Sequence, residues 1–590
     1  MPIRLRMPKL VVEGSKGREA ALENDDFLPI PLERRTWNFT TFSIFWFSAV
    51  GTVANWLSGG TFLSYGITVW DGILCNFFGY LLISFFMVIN GRPGSVYHVN
   101  ASLYTSFTNL LTIPQIGFPV YCRSSFGVFG SFWPVFNRAL SACVWNGVNT
   151  VTSGQCIYIF LHSIFPSIAH LPNHMPSTSG MTSAQMCGFF LFWFFTGCAL
   201  FLSVPKWKIL IHAKLIAYFL SCVGMLALAL TTSKGVGNTL TAGPTAHGSE
   251  RAWLIVRFTL LSAAGCSTFA SNASDWQRNA THKRDPIFGQ IFGFPMSNFI
   301  TTLCGLIVAA SSEKAYGTLI WNPLTYLDRI LTENYDAKTR AGTAIISIGF
   351  AYSALFSCVF ENVLPAGNDI SSLAPKYLSM KRAFAICMII TVVICPWYLL
   401  GSAGIFVTFI SSYQIFLFSI VGVLLVDYYV ISKGRLDLTW MYTADKKGPY
   451  YYTFGINWRA IFAYCIGAGV NFAGFLNNMG VKGFSTGVIC SFYFAFITTG
   501  CASGLSYYLL ARFFPQENYR RFKGLRFREW TEEEVELYVK GAPWRILGTA
   551  PPKVGEDGVP IMPGNRRSLE DMEDMGEKKV DTTQTTILEV

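Results

Sequence analysis

Long apolar runs recur along this chain and predict helices that cross a membrane. Each run has about 20 residues, the length that a helix needs to cross roughly 30 Å of hydrocarbon. Backbone groups in lipid must be paired within their own segment, and a lipid-facing barrel would need short alternating segments instead. We predict twelve helical spans, at 39–61, 72–90, 133–160, 185–204, 208–231, 253–273, 288–310, 341–362, 383–402, 405–431, 458–477 and 485–512.

The composition supports this interpretation. Of the 590 residues, 52% are hydrophobic and only 13% are Asp, Glu, Lys or Arg. An ordinary soluble domain carries about 25% charged residues. Half that charge cannot cover the surface of a soluble protein of this length, so we expect a multi-pass membrane protein.

The basic residues predict the orientation of the spans. The net charge is +11, with seven Lys and Arg before Asn38 and thirteen after Leu510. With the N-terminus inside, the predicted external loops hold only seven of the 45 Lys and Arg. Cytoplasmic loops are the ones enriched in these residues. We therefore expect both termini to be cytoplasmic and attribute the positive charge to the membrane, with no nucleic-acid partner.

The ends of the chain predict tails rather than further domains. Residues 1–38 are charged and lack an apolar core, so no cleavable signal peptide is expected. From Pro551 onward the chain is polar and contains Pro and Gly, which cannot bury a core. We divide the chain into a cytoplasmic N-terminal tail (1–38), a twelve-helix membrane domain (39–512) and a largely disordered cytoplasmic C-terminal tail (513–590), with a short helix at Trp530–Val539.

Metal-dependent and enzymatic chemistry finds little support in the sequence. The fifteen cysteines are scattered, mostly inside apolar runs, and none forms a CxxC pair. None of the seven histidines is paired three or four residues from another inside a predicted span. We therefore expect no metal, no cofactor and no enzymatic activity.

Polar and small residues interrupt spans 1 and 6. Span 1 contains Thr52–Gly60, where Gly59-Gly60 predicts a helix break of the kind by which secondary transporters expose free carbonyls. Close helix packing is the alternative role for these glycines. Span 6 contains small and hydroxyl residues at Ala264–Asn272. We assign Trp56, Gly265 and Cys266 as candidate solute contacts.

Spans 3 and 8 carry polar stripes at helical spacing. In span 3, Trp145 and Asn149 share a face, and together they offer a stacking plane and an amide that suit a flat heterocycle. A simple helix contact remains open for this pair. In span 8, Ser353, Ser357 and Glu361 lie four residues apart. A carboxylate at membrane depth costs about 2.5–3.5 kcal/mol and indicates function, unless it lies in water at the helix end.

Three further polar positions fall within the predicted spans. Asn362 sits about 100° around span 8 from Glu361 and is a further candidate solute contact. Lys214 and Arg257 fall within spans 5 and 6.

Several short segments together resemble the fungal uracil/allantoin/uridine branch of the nucleobase:cation symporter-1 family. The similar segments cover roughly residues 24–540 and comprise Asn24–Trp37, Arg123–Gly127, Ala366–Asp369, Pro375–Tyr377 with Lys381-Arg382, Asp427–Tyr429 and Gly455–Ala460. The resemblance implies an all-α membrane fold of two inverted five-helix repeats plus two helices, like the sodium/leucine symporters. It also implies that solute and cation bind near mid-membrane.

The resemblance assigns roles to individual positions of this chain. The stacking Trp of the family corresponds to Trp145, its hydrogen-bonding Gln to Asn149, and its solute-contacting Asn to Asn362. An aromatic residue of span 6 is replaced near Cys266. Of two cation-site hydroxyls on span 8, only Ser357 is kept, because Phe356 replaces the other.

Two further departures bear on the cation and on the solute. The residue before Asn362, usually small in the family, is Glu361, and a usual proline of span 10 is Ser419. We expect Ser353, Ser357 and Glu361 to handle the coupling cation, with H⁺ as the coupling ion.

The function expected from residues and resemblance together is a proton-coupled plasma-membrane importer that works by alternating access. Its solute would be a small nucleobase-like molecule such as uracil, allantoin or uridine. Alternatives are a thiamine or nicotinamide riboside permease of the same family, or a non-transporting nutrient sensor on a transporter scaffold. Ubiquitin and the endocytic machinery are further expected partners, acting through the tails.

Overall fold

The computed structural model describes residues 37–96, 117–200, 207–235, 241–437, 440–441, 444–529, 553–554 and 560–561. The N-terminal tail before Trp37 and the predicted helix at Trp530–Val539 lie outside these residues. Within them the protein is almost entirely helical, which confirms the predicted all-α class. The one exception is a two-residue antiparallel pair, Lys553–Val554 with Pro560–Ile561.

The helices follow the predicted spans, with several interruptions. Span 1 consists of Phe39–Val50, a 3₁₀ turn Val53–Asn55 and Trp56–Leu63. Spans 2 to 5 are single helices, in order Val69–Val96, Phe132–Ile164, Ser183–Ala199 and Trp207–Thr232. Span 6 is a series of three helices, Gly248–Gly265, Ser267–Ser271 and Ala273–Gln277. Span 7 consists of Asp285–Phe288, a π turn Gly289–Gly293 and Phe294–Tyr316. Span 8 consists of Ala337–Ser357, a π turn Cys358–Val363 and Leu364–Leu373, and span 9 is Met380–Val393. The last three are Ala403–Val426 with a π turn Asp427–Ile431, the pair Trp458–Val470 and Phe472–Asn478, and the pair Thr486–Tyr493 and Ala495–Phe513.

Shorter helices connect or flank these spans. They are Phe118–Phe126 before span 3, the 3₁₀ turns Pro166–His170 and Pro396–Leu400, Pro323–Glu333 before span 8, and Glu517–Phe522 after span 12.

The membrane character is evident from length and composition. Five of the described helices are long and apolar enough to cross a bilayer, and up to seven if each bent pair in spans 11 and 12 counts as one. The twelve-span count stays a prediction. Large apolar side chains point away from the protein on span 2, where Trp70, Phe78 and Phe85 are 55–63% exposed. An exposed apolar surface of this kind is stable in contact with lipid tails.

Span 8 is longer than its sequence predicted. The apolar pattern ends near residue 362, yet the helix runs on through a π turn to Leu373. The added part carries Asp369, which is fully buried against Arg138 of span 3. An internal ion pair thus allows a polar stretch to remain helical inside the protein, which an apolar window cannot detect.

The first residues of the predicted C-terminal tail pack on the helical domain. Glu529 accepts two hydrogen bonds of 2.8 Å from Arg92, at the end of span 2. Phe527 stacks on Tyr429 of span 10, with ring centroids 5.3 Å apart. The stretch up to residue 529 therefore ties span 2 to the end of span 10.

Candidate functional site

Span 1 is interrupted in its middle, but not at the glycine pair that the sequence suggested. The first helix ends at Val50, and Thr52 is extended, with φ −138° and ψ 152°. Asn55 Nδ2 donates to the freed carbonyl of Val50 at 2.6 Å. The same carbonyl also accepts from the backbone N–H of Thr52 at 2.7 Å, so two donors close the end of this helix.

The predicted break at Gly59-Gly60 is wrong, because both glycines lie inside the helix Trp56–Leu63. A side chain on Gly59 would meet the backbone nitrogen of Leu306 at 2.8 Å, and one on Gly60 would collide with the carbonyl of Trp321. The glycines therefore allow a close approach of two backbones, at Gly59 with the helix Phe294–Tyr316 and at Gly60 with the segment before Pro323.

Span 6 is interrupted twice, at Cys266 and at Asn272. The helix that begins at Gly248 ends at Gly265, and two five-residue helices follow. Tyr413 of span 10 donates its hydroxyl to the carbonyl of Gly265 at 2.7 Å. The interruptions of spans 1 and 6 face the same interior space.

That space is a central cavity of about 50 Å³ between spans 1, 3, 6, 7 and 8. A water molecule needs about 10–15 Å³ of such volume, so the cavity must widen to admit a heterocycle. Residues from the five spans line it: Thr52, Asn55, Arg138, Ala142, Trp145, Asn149, Gly265, Cys266, Thr268, Phe269, Asn272, Asn298, Glu361 and Asn362. A second cavity of about 30 Å³ shares Asn55, Trp145, Gly265, Cys266 and Asn298 with it.

Span 3 presents Trp145 and Asn149 to the cavity. The indole Nε1 of Trp145 donates to the Tyr413 hydroxyl at 3.3 Å, which fixes the ring edge. Phe409 packs beside it, with centroids 5.6 Å apart and planes tilted by 58°. Asn149 Nδ2 donates to the carbonyl of Trp145 at 3.2 Å.

Span 8 reaches the cavity through the π turn Cys358–Val363. Such turns add a residue to the helix and recur at functional sites. The turn places both Glu361 and Asn362 along the cavity, and Glu361 also interacts with Ser357, as the predicted stripe requires. Asn362 Nδ2 donates to the carbonyl of Ser357 at 3.3 Å.

Ser353 and Ser357 instead face the interruption of span 1. Ser353 Oγ donates to the carbonyl of Gly51 at 2.5 Å, and Ser357 Oγ donates to the carbonyl of Ala49 at 3.0 Å. Two carbonyls and two hydroxyls at one crossing of helices form an oxygen-rich site of the type that suits a small cation.

An ammonium group occupies this crossing. Lys214 of span 5 is 2% exposed, and its Nζ donates to Ser357 Oγ at 2.7 Å and to the carbonyl of Ser48. Lys214 also interacts electrostatically with Glu361. A bound positive charge is therefore built into the chain where the predicted cation site lies.

A buried ion pair closes one end of the central cavity. Arg138, 2% exposed, pairs with Asp369 and donates from Nη1 to the carbonyl of Pro365 at 3.0 Å. With the Asn272 amide in the orientation that satisfies its hydrogen bonds, its oxygen accepts from Arg138 Nη2 at 2.8 Å. The guanidinium thus joins spans 3, 6 and 8.

Three polar atoms on cavity-lining residues are buried without a hydrogen-bond partner in the described part of the chain. They are Arg138 Nε, a donor, and Asn149 Oδ1 and Glu361 Oε1, both acceptors. Buried polar groups in proteins are normally paired, and exceptions require a reason. A ligand with both an acceptor and a donor would satisfy them.

Comparison with known proteins shows the family to which the chain belongs. A sequence profile of permeases for cytosine/purines, uracil, thiamine and allantoin matches residues 29–108 and 114–498. The chain belongs to this family. The expected resemblance to the fungal branch of the nucleobase:cation symporter-1 family is thereby confirmed.

The permease has fungal relatives along most of its length. It is 33% identical to an uncharacterized permease of Schizosaccharomyces pombe, over 90% of this chain and 86% of the relative. It is 31% identical to the uridine permease of Saccharomyces cerevisiae, over 88% and 79%. Its fold is similar to that of Mhp1, a nucleobase-cation-symport-1 family transporter solved in a closed conformation with bromovinylhydantoin bound, with a TM-score of 0.63, 16% identity and coverage of 88% and 99%.

The structure does not bring every predicted contact of the permease to the cavity. Trp56 lines neither central cavity in the described part of the chain. It is fully buried, donates from Nε1 to the Tyr218 hydroxyl at 3.0 Å and packs against Phe350. The reason is the shifted break: Trp56 begins the second helix of span 1 and turns toward spans 5 and 8.

Sequence reasoning missed several residues of the site. Asn298 of span 7 carried no distinguishing pattern, and Tyr413 resembled any aromatic residue of an apolar span. Arg138 and Lys214 did carry a signal, since each is a charge inside a predicted span, and such charges are rare and usually functional.

Proposed function

We propose that this permease is a proton-coupled secondary importer of a small, uncharged, nucleobase-like heterocycle, and that it works by alternating access. The observation that carries the proposal is one interior site, formed where the interrupted helices of spans 1 and 6 meet spans 3, 7 and 8. It combines an indole plane, convergent amides and an adjacent built-in ammonium.

The solute class follows from the lining of the cavity. Trp145 provides a stacking plane, while Asn149 and Asn362 provide amides that match the alternating carbonyl and N–H groups of an imide or ureide edge. Arg138 Nε, a donor, and Asn149 Oδ1, an acceptor, have no hydrogen-bond partner in the described part of the chain, and such an edge would offer each of them one. Uracil, uridine and allantoin all carry this edge, and relatives are named as permeases for each of them.

The charges of the site favour a neutral solute. Arg138 is matched by Asp369, and Lys214 is matched by Glu361 when that carboxyl group is ionised, so the four groups sum to zero, or to +1 when Glu361 carries a proton. A cationic solute such as thiamine or nicotinamide riboside would add an uncompensated charge in a setting of low dielectric, which is costly. These solutes are therefore the weaker alternatives.

Proton coupling is supported by the position of Lys214. Its ammonium already donates to the carbonyl of Ser48 and the hydroxyl of Ser357, in the space that a sodium ion would need. Glu361 is close enough to interact with it and has an oxygen without a partner. We assign the transported proton to Glu361. Protonation of Glu361 would remove the negative charge that compensates the ammonium of Lys214.

The test is uptake of radiolabelled uracil, uridine and allantoin by cells that lack their own permeases. We expect uptake to rise on acidification and to persist when sodium is replaced by choline. Glu361→Gln should lose concentrative uptake but keep solute exchange, because Gln mimics the protonated carboxyl group. Accumulation that still depends on pH in Glu361→Gln would remove the proton from this residue, and no uptake of any solute would favour the sensor.

A second variant tests whether Asn149 determines the choice among solutes. Asn149→Gln restores the residue that the resemblance assigns to this position and lengthens the amide by one methylene. We expect it to change the ranking of the three solutes. An equal change in uptake of all three would show that Asn149 does not contact the part in which they differ.

We further propose a plasma-membrane location with both termini in the cytoplasm, where the tails can meet ubiquitin and the endocytic machinery.

A further inference from the structure

A separate cavity of about 160 Å³ lies between spans 6, 10, 11 and 12. It lies one helical turn further along span 10 than the smaller central cavity. Phe406, Val407 and Ile410 of that span line the space beside Trp145, whereas Ser411 and Gln414 line this cavity. Leu261 of span 6 borders both. With the orientation predicted above, the separate cavity lies in the outer half of the membrane domain, beside the bends of spans 11 and 12.

Its one charged lining residue is Arg257 of span 6. The guanidinium lies over the rings of Tyr65 and Tyr493, 5.2 and 5.1 Å from their centroids. Aromatic faces attract a cation but carry no net charge, so they leave the charge of Arg257 uncompensated. Arg257 has no carboxylate partner within the described ranges, whereas Arg251, on the same helix, pairs with Asp71 at 2.9 Å.

The other lining groups are mainly neutral and polar. Gln414 is 4% exposed and donates from Nε2 to the carbonyl of Ser411 at 2.9 Å. Its Oε1 is buried without a partner among the residues that the structure describes. Asn477 and Asn478 add two amides at the end of span 11. The cavity thus offers the positive charge of Arg257, which has no carboxylate partner among the described residues, and the acceptor Gln414 Oε1, which has no hydrogen-bond donor there.

We propose that this cavity binds a small carboxylate that also carries a hydroxyl or N–H group. The carboxylate would lie against the guanidinium of Arg257, whose planar fork matches two oxygens at once. The second group would donate to Gln414 Oε1. The site is distinct from that of the transported solute, because Arg257 and Gln414 line neither of the two central cavities, and it goes beyond the proposed transport function.

The test measures binding to the purified full-length protein by thermal stabilisation, since a ligand that binds only the folded state raises the unfolding temperature. Lactate, propionate and chloride are compared as sodium salts at equal ionic strength. We expect lactate to stabilise most, propionate less because it lacks the hydroxyl, and chloride least. Equal stabilisation by all three would reduce the effect to ionic strength and overturn the proposal.

Two variants locate the site. Arg257→Gln should weaken lactate binding by about tenfold or more, as expected for loss of a charged hydrogen bond, whereas the matched control Arg251→Gln should retain it. Gln414→Leu leaves the charge in place and should remove the preference for lactate over propionate, so it tests the site even if Arg257→Gln fails to fold. Undiminished lactate binding in Arg257→Gln, or an undiminished preference in Gln414→Leu, would overturn the assignment.

Discussion

Replacing Asp369 by Asn separates the structural from the functional role of the Arg138–Asp369 ion pair. The carboxylate is fully buried and Arg138 is 2% exposed, so the variant leaves an unmatched positive charge in the interior. Removing one partner of a buried pair costs about 3–5 kcal/mol, because the remaining charge has neither water nor a counter-ion. The carbonyl of Pro365 and the amide of Asn272 remain as neutral partners.

This cost can be expressed as a change in unfolding temperature. Unfolding carries about 2.1 cal/mol/K of entropy per residue, which gives about 1.2 kcal/mol/K for a chain of 590 residues. A loss of about 3–5 kcal/mol then lowers the midpoint by roughly 2–4 °C. The shift is larger if helices persist in the detergent-unfolded state, since the entropy change is then smaller.

The assay is thermal unfolding of the detergent-solubilised protein, followed by the fraction that remains monodisperse. The double variant Arg138→Met with Asp369→Leu removes both charges and should recover most of the lost stability, because apolar replacement of a buried pair is often neutral. It should nevertheless fail to transport, since Arg138 lines the solute cavity. A midpoint for Asp369→Asn within 1 °C of the wild type, or a double variant less stable than Asp369→Asn, would show that the unmatched charge of Arg138 does not destabilise the fold.

Three further outcomes are expected. Trp145→Ala should reach the cell surface but lose solute affinity by about 1–3 kcal/mol, the typical value of stacking on a base, and unchanged uptake affinity would remove Trp145 from the site. Gly60→Ala should reduce the amount of folded protein at the cell surface, measured with a fluorescent tag, because the added methyl group would collide with the carbonyl of Trp321. The control is Gly342→Ala, which should be tolerated because an added methyl group there would have no neighbour within 4 Å. A cysteine introduced at Ser177 should react with an impermeant reagent on intact cells, and labelling only after permeabilisation would reverse the predicted orientation.

The sequence by itself determined the class of the protein. Apolar runs of about 20 residues admit only helices in lipid, and that constraint is local enough to be read without a fold. Trp145, Asn149 and Asn362 were also found from the sequence as lining candidates, because helical spacing and the family resemblance both selected them. Lys214 was visible as a charge inside a span, although its partners were not.

Tertiary structure alone decided where the helices break and what each polar group meets. Gly59 and Gly60 look like a helix break in sequence, yet the break is at Gly51, because the helix stays intact where its glycines contact another backbone. The chain is interrupted instead where side chains of other spans donate to its carbonyls, as Lys214 does to Ser48, Ser357 to Ala49 and Ser353 to Gly51.

The same reasoning applies to the charges. Whether Lys214 lies in lipid, water or a ring of oxygens depends on Ser48 and Ser357, which are 166 and 143 residues away in the chain. The free energy of a buried charge is set by the groups within a few ångströms of it, and only the folded chain brings those groups together.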